Sequence, residues 1–188
     1  MNRDFSFEIL AVDVPIAPAL LRGCAELFCQ IWKEPPWNED HWKVSSVEAE
    51  ILKVVFRPGS VIRLMTITTP ADPLPKVAGF TWAFPVSVSG LAKIAGHKQL
   101  NPVFEPGRRV YYLAELGVEK SRREEYGLGK LLSTCLLADI QAMGPVVVVL
   151  RTDVEALVAR SLYSKLGFKE LSVCDKNHPT RTYWTLNL

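Results

Sequence analysis

A pair of glycines lies among basic residues at a point where a predicted strand is followed by a predicted helix. Gly127 and Gly129 come shortly after Lys120, Arg122 and Arg123. The first turn of a helix presents unpaired backbone N–H groups and the positive end of the helix dipole, so it attracts anions. Glycines in that turn let a phosphate approach the backbone closely. The segment therefore predicts a phosphate or pyrophosphate site.

Two common phosphate-binding loops do not fit the spacing of this segment. The dinucleotide-binding fingerprint needs a third glycine where this chain has Leu132, and the P-loop needs serine or threonine where it has Leu131. The segment instead resembles the acetyl-coenzyme A loop of the GNAT N-acetyltransferase superfamily. That loop has the pattern Gln/Arg-x-x-Gly-x-Gly/Ala after a strand that ends in an apolar-x-Val sequence. Leu116-Gly117-Val118 and Gly127-Leu128-Gly129 match it.

One position of the loop departs from the family pattern. Three residues before Gly127, where the family has arginine or glutamine, this chain has Glu124; Arg123 lies one residue earlier, as it would after a one-residue insertion. The resemblance implies that Arg123 or Arg122 binds the pyrophosphate, and the sequence leaves the choice open. The alternative to a coenzyme site is a well-capped helix start with exposed charges, because glycine pairs are common at such positions.

A second segment resembles the C-terminal signature of the same superfamily, Asn-x-x-Ala-x-x-x-Tyr-x-x-x-Gly-Phe. Ala159, Tyr163, Gly167 and Phe168 match this signature in register, whereas Ala156 stands in place of the asparagine. In relatives that asparagine helps to hold the pantetheine arm of the coenzyme, so one polar contact is absent here or is supplied by another group. Two motifs in the same order as in the family argue against a chance resemblance.

The resemblance implies that the chain uses acetyl-coenzyme A as its cosubstrate. The backbone of residues 116–118 would pair with the pantetheine arm, with one N–H group facing the thioester oxygen. The residues implied in coenzyme binding are Leu116, Gly117, Val118, Arg122, Arg123, Glu124, Tyr126, Gly127, Leu128, Gly129 and Lys130. No metal is expected, because the scattered cysteines and histidines show no zinc-site or disulfide spacing.

Acetyl transfer to an amine needs a neutral nitrogen, a polarised thioester carbonyl and a proton for the departing thiolate. The resemblance implies that Tyr163 protonates the coenzyme sulfur; the alternative is a tyrosine that only packs in its helix. Glu115 interrupts an otherwise apolar strand, and a buried carboxylate is costly unless it is paired or used. We therefore expect Glu115 to act as the general base or, alternatively, to form a structural ion pair with an arginine or lysine.

Aromatic residues are concentrated in the first half of the chain, where the family has its acceptor pocket. Trp37 and Trp82 are the predicted substrate-binding residues, since aromatic walls hold apolar groups or, by cation–π attraction, a charged amine. Core packing is the alternative. A small-molecule amine is the expected acceptor because the connection from Ser87 to Arg109 is long enough to close over a pocket. A protein amine is one alternative, and a non-catalytic sensor or scaffold that binds acyl-coenzyme A is another.

The elements that must position these residues follow from hydrophobic periodicity and turn residues. In the second half a strand, a helix and a strand follow one another, which predicts a right-handed crossover between parallel neighbours. The first half predicts antiparallel pairing. The predicted strands span 5–14, 61–68, 77–86, 110–118, 146–151, 168–174 and 182–188, and the helices lie at 20–34, 47–55, 126–143 and 154–166. The residues expected on the buried side of the third helix are Leu128, Leu131, Leu132, Cys135, Ile140 and Met143.

These elements predict one mixed α/β domain over residues 1–188. The expected fold class is α+β. Its mixed sheet is largely antiparallel, contains one parallel central pair and is flanked by helices. This is the GNAT-like acyl-coenzyme A N-acyltransferase fold, with its coenzyme-binding core at residues 110–168. The composition agrees with a globular chain, since 48% of the 188 residues are hydrophobic and 22% are charged.

Charge and hydropathy exclude several classes of partner. The chain has 22 lysines and arginines against 20 aspartates and glutamates. This excess of positive charge is too small for a protein whose main partner is nucleic acid. The densest apolar run, residues 146–150, is too short to cross a bilayer, and the N-terminus lacks a signal-peptide pattern. Since scattered cysteines suit a reducing compartment, we expect the chain in the cytoplasm, with neither nucleic acid nor a membrane as partner. The sequence leaves open whether the chain forms a homodimer.

Overall fold

The predicted helices and strands occur in the predicted order, with one additional helix between the third and fourth strands. The computed structural model describes residues 6–12, 15–123 and 127–188. Its strands are β1 (Ser6–Ala11), β2 (Val61–Thr69), β3 (Asp72–Pro85), β4 (Arg109–Val118), β5 (Val146–Asp153), β6 (Lys169–Cys174) and β7 (Arg181–Asn187). Its helices are α1 (Pro18–Trp32), α2 (Val44–Val55), α3 (Val88–Ala95), α4 (Leu128–Gln141) and α5 (Leu157–Lys165), with short 3-10 turns at Asn101–Val103 and Lys120–Arg122. In this described part of the chain, no helix has the length and apolar character needed to cross a membrane.

The strands form one seven-stranded sheet in the order β1-β2-β3-β4-β5-β7-β6. β4 and β5 are parallel, with Arg109 opposite Val146 and Leu113 opposite Leu150. β1 pairs antiparallel with β2, and β7 pairs antiparallel with both β5 and β6. The predicted mixed sheet, largely antiparallel with one parallel pair and flanked by helices, is confirmed.

Proline placement explains both ends of α1. Pro18 occupies the first turn of the helix, where a backbone N–H would have no helical partner. Pro35 and Pro36 cannot donate the backbone hydrogen bonds that would extend it. Between these limits, Cys24 and Phe28 lie on the buried face of the helix. The helix therefore ends just before a turn that borders the candidate site.

The chain divides into two compact units. The first consists of Met1–Trp82 and Glu115–Leu136, and the second of Ala83–Ala114 and Leu137–Leu188. The end of β4 and the start of α4, which carry the glycine motif, belong to the first unit. Tyr163 and the β6–β7 hairpin belong to the second. A single domain over residues 1–188 stays a prediction.

The long connection predicted from Ser87 to Arg109, for which the sequence indicated only a helical turn near Leu91 to Ala95, contains the helix α3. The Ser87 hydroxyl accepts a hydrogen bond from the Gly90 backbone N–H at 3.1 Å and so caps the helix. Gly96 ends it in a left-handed conformation, with φ of 74°. Leu91 and Ala95 are buried in the core of the second unit. The helix has only 8 residues, which is shorter than the window over which helical periodicity is recognisable.

The buried face of α4 agrees with the prediction at Leu128, Leu132 and Ile140 but not at Leu131 and Met143. Leu131 is 38% exposed and Met143 is 36% exposed. Contrary to the prediction, neither side chain belongs to the core. The apolar side chains that are fully buried recur every four residues along the helix: Leu128, Leu132, Leu136 and Ile140. The apolar residues on both faces made the choice of face ambiguous in the sequence.

Candidate functional site

The glycine of the Leu-Gly-Val motif lies where β4 packs most tightly. A Cβ at Gly117 would lie 2.5 Å from Cζ of Phe80 and 2.8 Å from Cδ1 of Ile31. Such distances are shorter than real contacts, so any larger residue would force these buried side chains to move. Gly117 therefore brings the backbone of β4 against β3 and α1. Leu116 and Val118, on either side of it, pack in a core cluster of the same unit.

Glu115 lies half-buried on β4, just before this motif. Its backbone carbonyl accepts a hydrogen bond from the Thr81 hydroxyl at 2.8 Å, which fixes the strand at this point. Burial, and secondarily the negative charge of Glu115, raises the pKa of the Cys24 thiol on α1. The Glu115 carboxylate thus acts electrostatically on the interior of the first unit. Its role as general base stays a prediction.

The 3-10 turn Lys120–Arg122 follows β4 directly. The Glu119 backbone N–H donates to the Ala78 carbonyl at 2.9 Å and ties the start of the turn to β3. Nε of Arg122 lies 3.8 Å from a carboxylate oxygen of Glu119, and the Arg122 side chain is 25% exposed. Lys120 is exposed. Two basic side chains of the predicted pyrophosphate loop therefore flank the end of β4.

Arg123 makes two side-chain contacts within the first unit. Its Nε donates to the Val118 carbonyl at 2.9 Å. One of its terminal nitrogens donates to a carboxylate oxygen of Glu34 at 2.5 Å. Glu34, which sequence analysis did not identify as a site residue, lies just beyond α1. The two residues are 89 positions apart, so no local pattern could have revealed the pair.

The glycine pair lies at the start of α4. Gly127 has φ of 63°, and a Cβ there would meet only Cβ of Lys130, at 4.0 Å. The Gly127 carbonyl accepts the first helical hydrogen bond, from Leu131 N at 3.0 Å. Leu128 is fully buried, so its side chain holds this helix start to the core and only its backbone can face a ligand. The predicted residues Glu124 and Tyr126 lie outside the described residues.

Six rings form an aromatic cluster in the first unit: Phe28, Trp32, Trp37, Trp42, Phe80 and Trp82. Trp82 is only 5% exposed, and its ring stacks on Phe80 with 5.1 Å between centroids. Trp37 is half-buried and meets Trp32 edge-on at 4.6 Å. The geometry therefore gives Trp82 a packing role and leaves Trp37 at the accessible margin of the cluster.

A cavity of about 370 Å³ lies between α1 and the turn after β4. It is lined by residues of α1, by Glu34 just beyond that helix, and by polar and charged residues that follow β4: Leu27, Gln30, Ile31, Glu34, Glu119, Lys120 and Ser121. Glu34 belongs both to this lining and to the ion pair with Arg123, so the ion pair borders the cavity. Among the described residues, no group of three or more His, Cys, Asp or Glu side chains is placed to hold a metal ion.

The second signature segment folds as a helix end in the second unit. Tyr163 is 6% exposed, and its ring meets Phe168 edge-on at 5.8 Å. Gly167 has φ of 90°, and Phe168 N donates to the Tyr163 carbonyl at 3.0 Å, which turns the chain back after α5. Ala156 precedes α5 and provides no side-chain cap. The Tyr-x-x-x-Gly-Phe spacing therefore has a structural explanation, and the proton-donor role of Tyr163 stays a prediction.

Comparison with known proteins identifies the fold. Neither a protein-family model nor a curated protein sequence matches the chain. Among solved structures, Arabidopsis thaliana NAA60 in complex with acetyl-CoA superposes with a TM-score of 0.68, at 14% identity, over 97% of this chain and 99% of that one. The NatC complex bound to Gag peptide and CoA gives 0.67, at 16% identity, over 96% and 99%. The aminoglycoside N-acetyltransferase AAC(6')-Iy in complex with CoA gives 0.61, at 15% identity, over 92% and 93%.

These structures are all GNAT acetyltransferases, and the chain is similar to each of them over nearly its whole length. The chain therefore has the GNAT acetyltransferase fold, and the resemblance found in the sequence is confirmed at the level of the fold.

Proposed function

We propose that the chain is an N-acetyltransferase that transfers the acetyl group of acetyl-coenzyme A to a primary amine. The observation that carries this proposal is the sequence Leu116-Gly117-Val118 at the end of β4, followed by the exposed glycine start of α4, on a GNAT fold. Three solved structures with the same fold contain CoA or acetyl-CoA. The glycine start presents backbone N–H groups that suit an anion.

In this proposal the backbone of residues 116–118 binds the pantetheine arm. The N–H groups at Gly127 and Gly129 bind the pyrophosphate, with Lys130 and either Arg122 or Arg123 supplying positive charge and with Glu124 and Tyr126 in the same loop. Gly127 suits the role because the space beside its Cα is open. Leu128 contributes through its backbone, since its side chain is fully buried.

Two side chains are proposed to act in the chemical step. Glu115 would accept the proton of the attacking amine, directly or through water, and Tyr163 would donate a proton to the departing thiolate. Tyrosine has an ordinary pKa near 10, so we expect it to act as a short-range hydrogen-bond donor while the sulfur leaves. Both groups therefore have roles that can be tested by isosteric replacement.

The acceptor is proposed to be a primary amine that contacts Trp37. A small-molecule amine was predicted because residues 87–109 could close over a pocket, but α3 is packed into the core of the second unit, which removes this reason. The solved structures include an enzyme named for aminoglycosides and a complex bound to a peptide. Small-molecule and protein amines are accordingly tested side by side.

The test combines coenzyme binding with an amine panel. Titration calorimetry measures the affinity for acetyl-coenzyme A, and release of free thiol reports turnover with a free α-amino peptide, a lysine peptide, a polyamine and an aminoglycoside. Gly127→Asp should weaken coenzyme binding at least tenfold, because it adds bulk and negative charge at the anion site.

Gly107→Asp is the matched control. Gly107 also has a positive φ, 78°, and open space around its Cα, but it belongs to the second unit, whereas the loop belongs to the first. Equal affinity of Gly127→Asp and wild type would disprove the assigned loop. Coenzyme binding without turnover of any amine would favour the non-catalytic sensor.

A further inference from the structure

An ion pair connects the turn after α1 with the turn after β4. Arg123 donates from one terminal nitrogen to Glu34 and from Nε to the Val118 carbonyl. The Arg123 side chain is 33% exposed and that of Glu34 is 22% exposed. Exposed ion pairs contribute little to folding stability. The contact is therefore better explained by what it positions than by what it adds to the stability of the fold.

Glu34 organises the segment that carries Trp37. Its backbone carbonyl accepts hydrogen bonds from Trp37 N at 3.0 Å and from Asn38 N at 3.1 Å. Glu39 N closes the turn by donating to the Trp32 carbonyl at 2.7 Å. The side chain of Glu34 thus holds Arg123 while its backbone holds Trp37. Because both contacts belong to Glu34, a change in the ion pair would affect the position of Trp37 through this one residue.

The same geometry disfavours Arg123 as a pyrophosphate ligand. Its guanidinium already faces a carboxylate and a carbonyl, so binding a diphosphate would require these contacts to break or be shared. Lys120, Arg122 and Lys130 supply other positive charges around the loop. The positive side-chain charge that a bound pyrophosphate needs can therefore be supplied without Arg123.

We propose that Arg123 is a positioning residue for the acceptor, which through Glu34 holds the 34–38 turn and Trp37 against the end of β4. The proposal rests on the proposed function in one respect, the use of Trp37 by an acceptor amine. It resolves the choice between the two arginines in favour of Arg122 as the side chain that serves the coenzyme.

The test compares Glu34→Gln, Arg123→Gln, the double variant and Arg123→Lys. Glu26→Gln is the control, because Glu26 forms an exposed ion pair with Arg22 on the same helix. Affinity for acetyl-coenzyme A is measured by calorimetry, and kcat and KM are measured with the panel amine that wild type turns over fastest. Hydrogen exchange is followed by mass spectrometry in peptides covering residues 34–40.

Glu34→Gln and Arg123→Gln should each raise the KM for the amine by about three- to tenfold, in the lower part of the range expected for coupling within a contacting pair. The affinity for acetyl-coenzyme A should stay within about twofold of wild type, and exchange at residues 34–40 should become faster. The double variant should be no worse than either single variant, since both remove the same contact. Arg123→Lys keeps the charge and should recover part of the KM, whereas Glu26→Gln should change none of these quantities.

A different pattern would overturn the proposal. If Arg123→Gln weakens coenzyme binding about tenfold while Glu34→Gln leaves it unchanged or tightens it, Arg123 is a coenzyme ligand. Unchanged KM and unchanged exchange in both single variants would also disprove the positioning role. Failure of the wild type to bind acetyl-coenzyme A would instead disprove the proposed function, and the exchange comparison would still decide whether the ion pair holds the turn.

Discussion

Asp175 is a buried carboxylate that organises the β6–β7 connection, and Asp175→Asn should strongly destabilise the protein. The side chain is 2% exposed. It accepts hydrogen bonds from a terminal nitrogen of Arg151 at 2.6 Å and from the Tyr183 hydroxyl at 2.8 Å. It also accepts from the backbone N–H groups of Asn177 at 2.8 Å and His178 at 3.0 Å. One carboxylate therefore joins β5, β7 and the turn between β6 and β7.

Asparagine at this position would keep a carbonyl acceptor but lose the charge and half of the acceptor capacity. Removing one partner of a buried ion pair typically costs 3–5 kcal/mol. Because the Arg151 side chain is 23% exposed and water can solvate part of it, we expect the lower end, about 3 kcal/mol. For a chain of this size that loss corresponds to a decrease in Tm of about 6–12 °C.

Urea unfolding followed by circular dichroism measures the free energy of unfolding directly. Asp72→Asn is the control, since Asp72 forms an exposed ion pair with Lys76 and should matter much less. A loss for Asp175→Asn that is no larger than for Asp72→Asn would refute the reasoning that the buried network holds the hairpin.

The pH dependence gives a second measure of the same contact. Burial raises the pKa of the Asp175 carboxyl, but hydrogen bonds from Arg151 and Tyr183 and the charge of Arg151 outweigh it, so the pKa lies below its usual value. The native state thus binds this proton less tightly than the unfolded state. The stabilisation is fully present above the unfolded pKa of about 3.9 and is lost as the pH falls through the native value. The difference between wild type and Asp175→Asn should be constant from about pH 5 to 7 and shrink below about pH 4.

Three further changes test the site and its surroundings. Tyr163→Phe should lower kcat by about 10²-fold or more, as loss of a general acid does, with little change in Tm because the ring is retained; unchanged kcat would remove Tyr163 from the chemistry. Gly117→Ala should cost about 1–3 kcal/mol in urea unfolding, because the new methyl group overlaps buried Phe80, and unchanged stability would contradict the tight packing of β4. In thiol labelling mapped by mass spectrometry, exposed Cys174 should react in the native protein and Cys24 only after unfolding, since burial, and then the charge of Glu115, raises the pKa of Cys24; labelling of both at equal native rates would contradict this burial.

Features encoded over short distances in the chain could be predicted from the sequence. The Leu-Gly-Val strand end, the glycine start of α4 and the helix end at Gly167 each depend on neighbouring residues, and each lies on the predicted element. The run Val146 to Leu150 is fully buried and forms the strand of the parallel pair, as its uninterrupted apolar character indicated.

Features that depend on contacts between distant segments could not be predicted. Glu34 is an unremarkable acid between a helix and two prolines, and only the fold brings it to Arg123. Asp175 lies in a polar hairpin where the sequence gives no reason to expect a buried carboxylate, and Arg151 approaches it from another strand. The same limit explains Trp82, whose type suits a pocket wall but whose neighbours make it part of the core.

The departure of the loop from the family pattern is consistent with how such a site binds an anion. Backbone N–H groups at a helix start donate hydrogen bonds whatever side chain they carry, so a pyrophosphate site built on them tolerates Glu124 where the family has arginine or glutamine. A site built on the side chain at that position would not. If Arg123 is held by Glu34, the proposed coenzyme site depends mainly on the glycine start of α4, and the proposed role of Arg123 is to link this loop to the turn that carries Trp37.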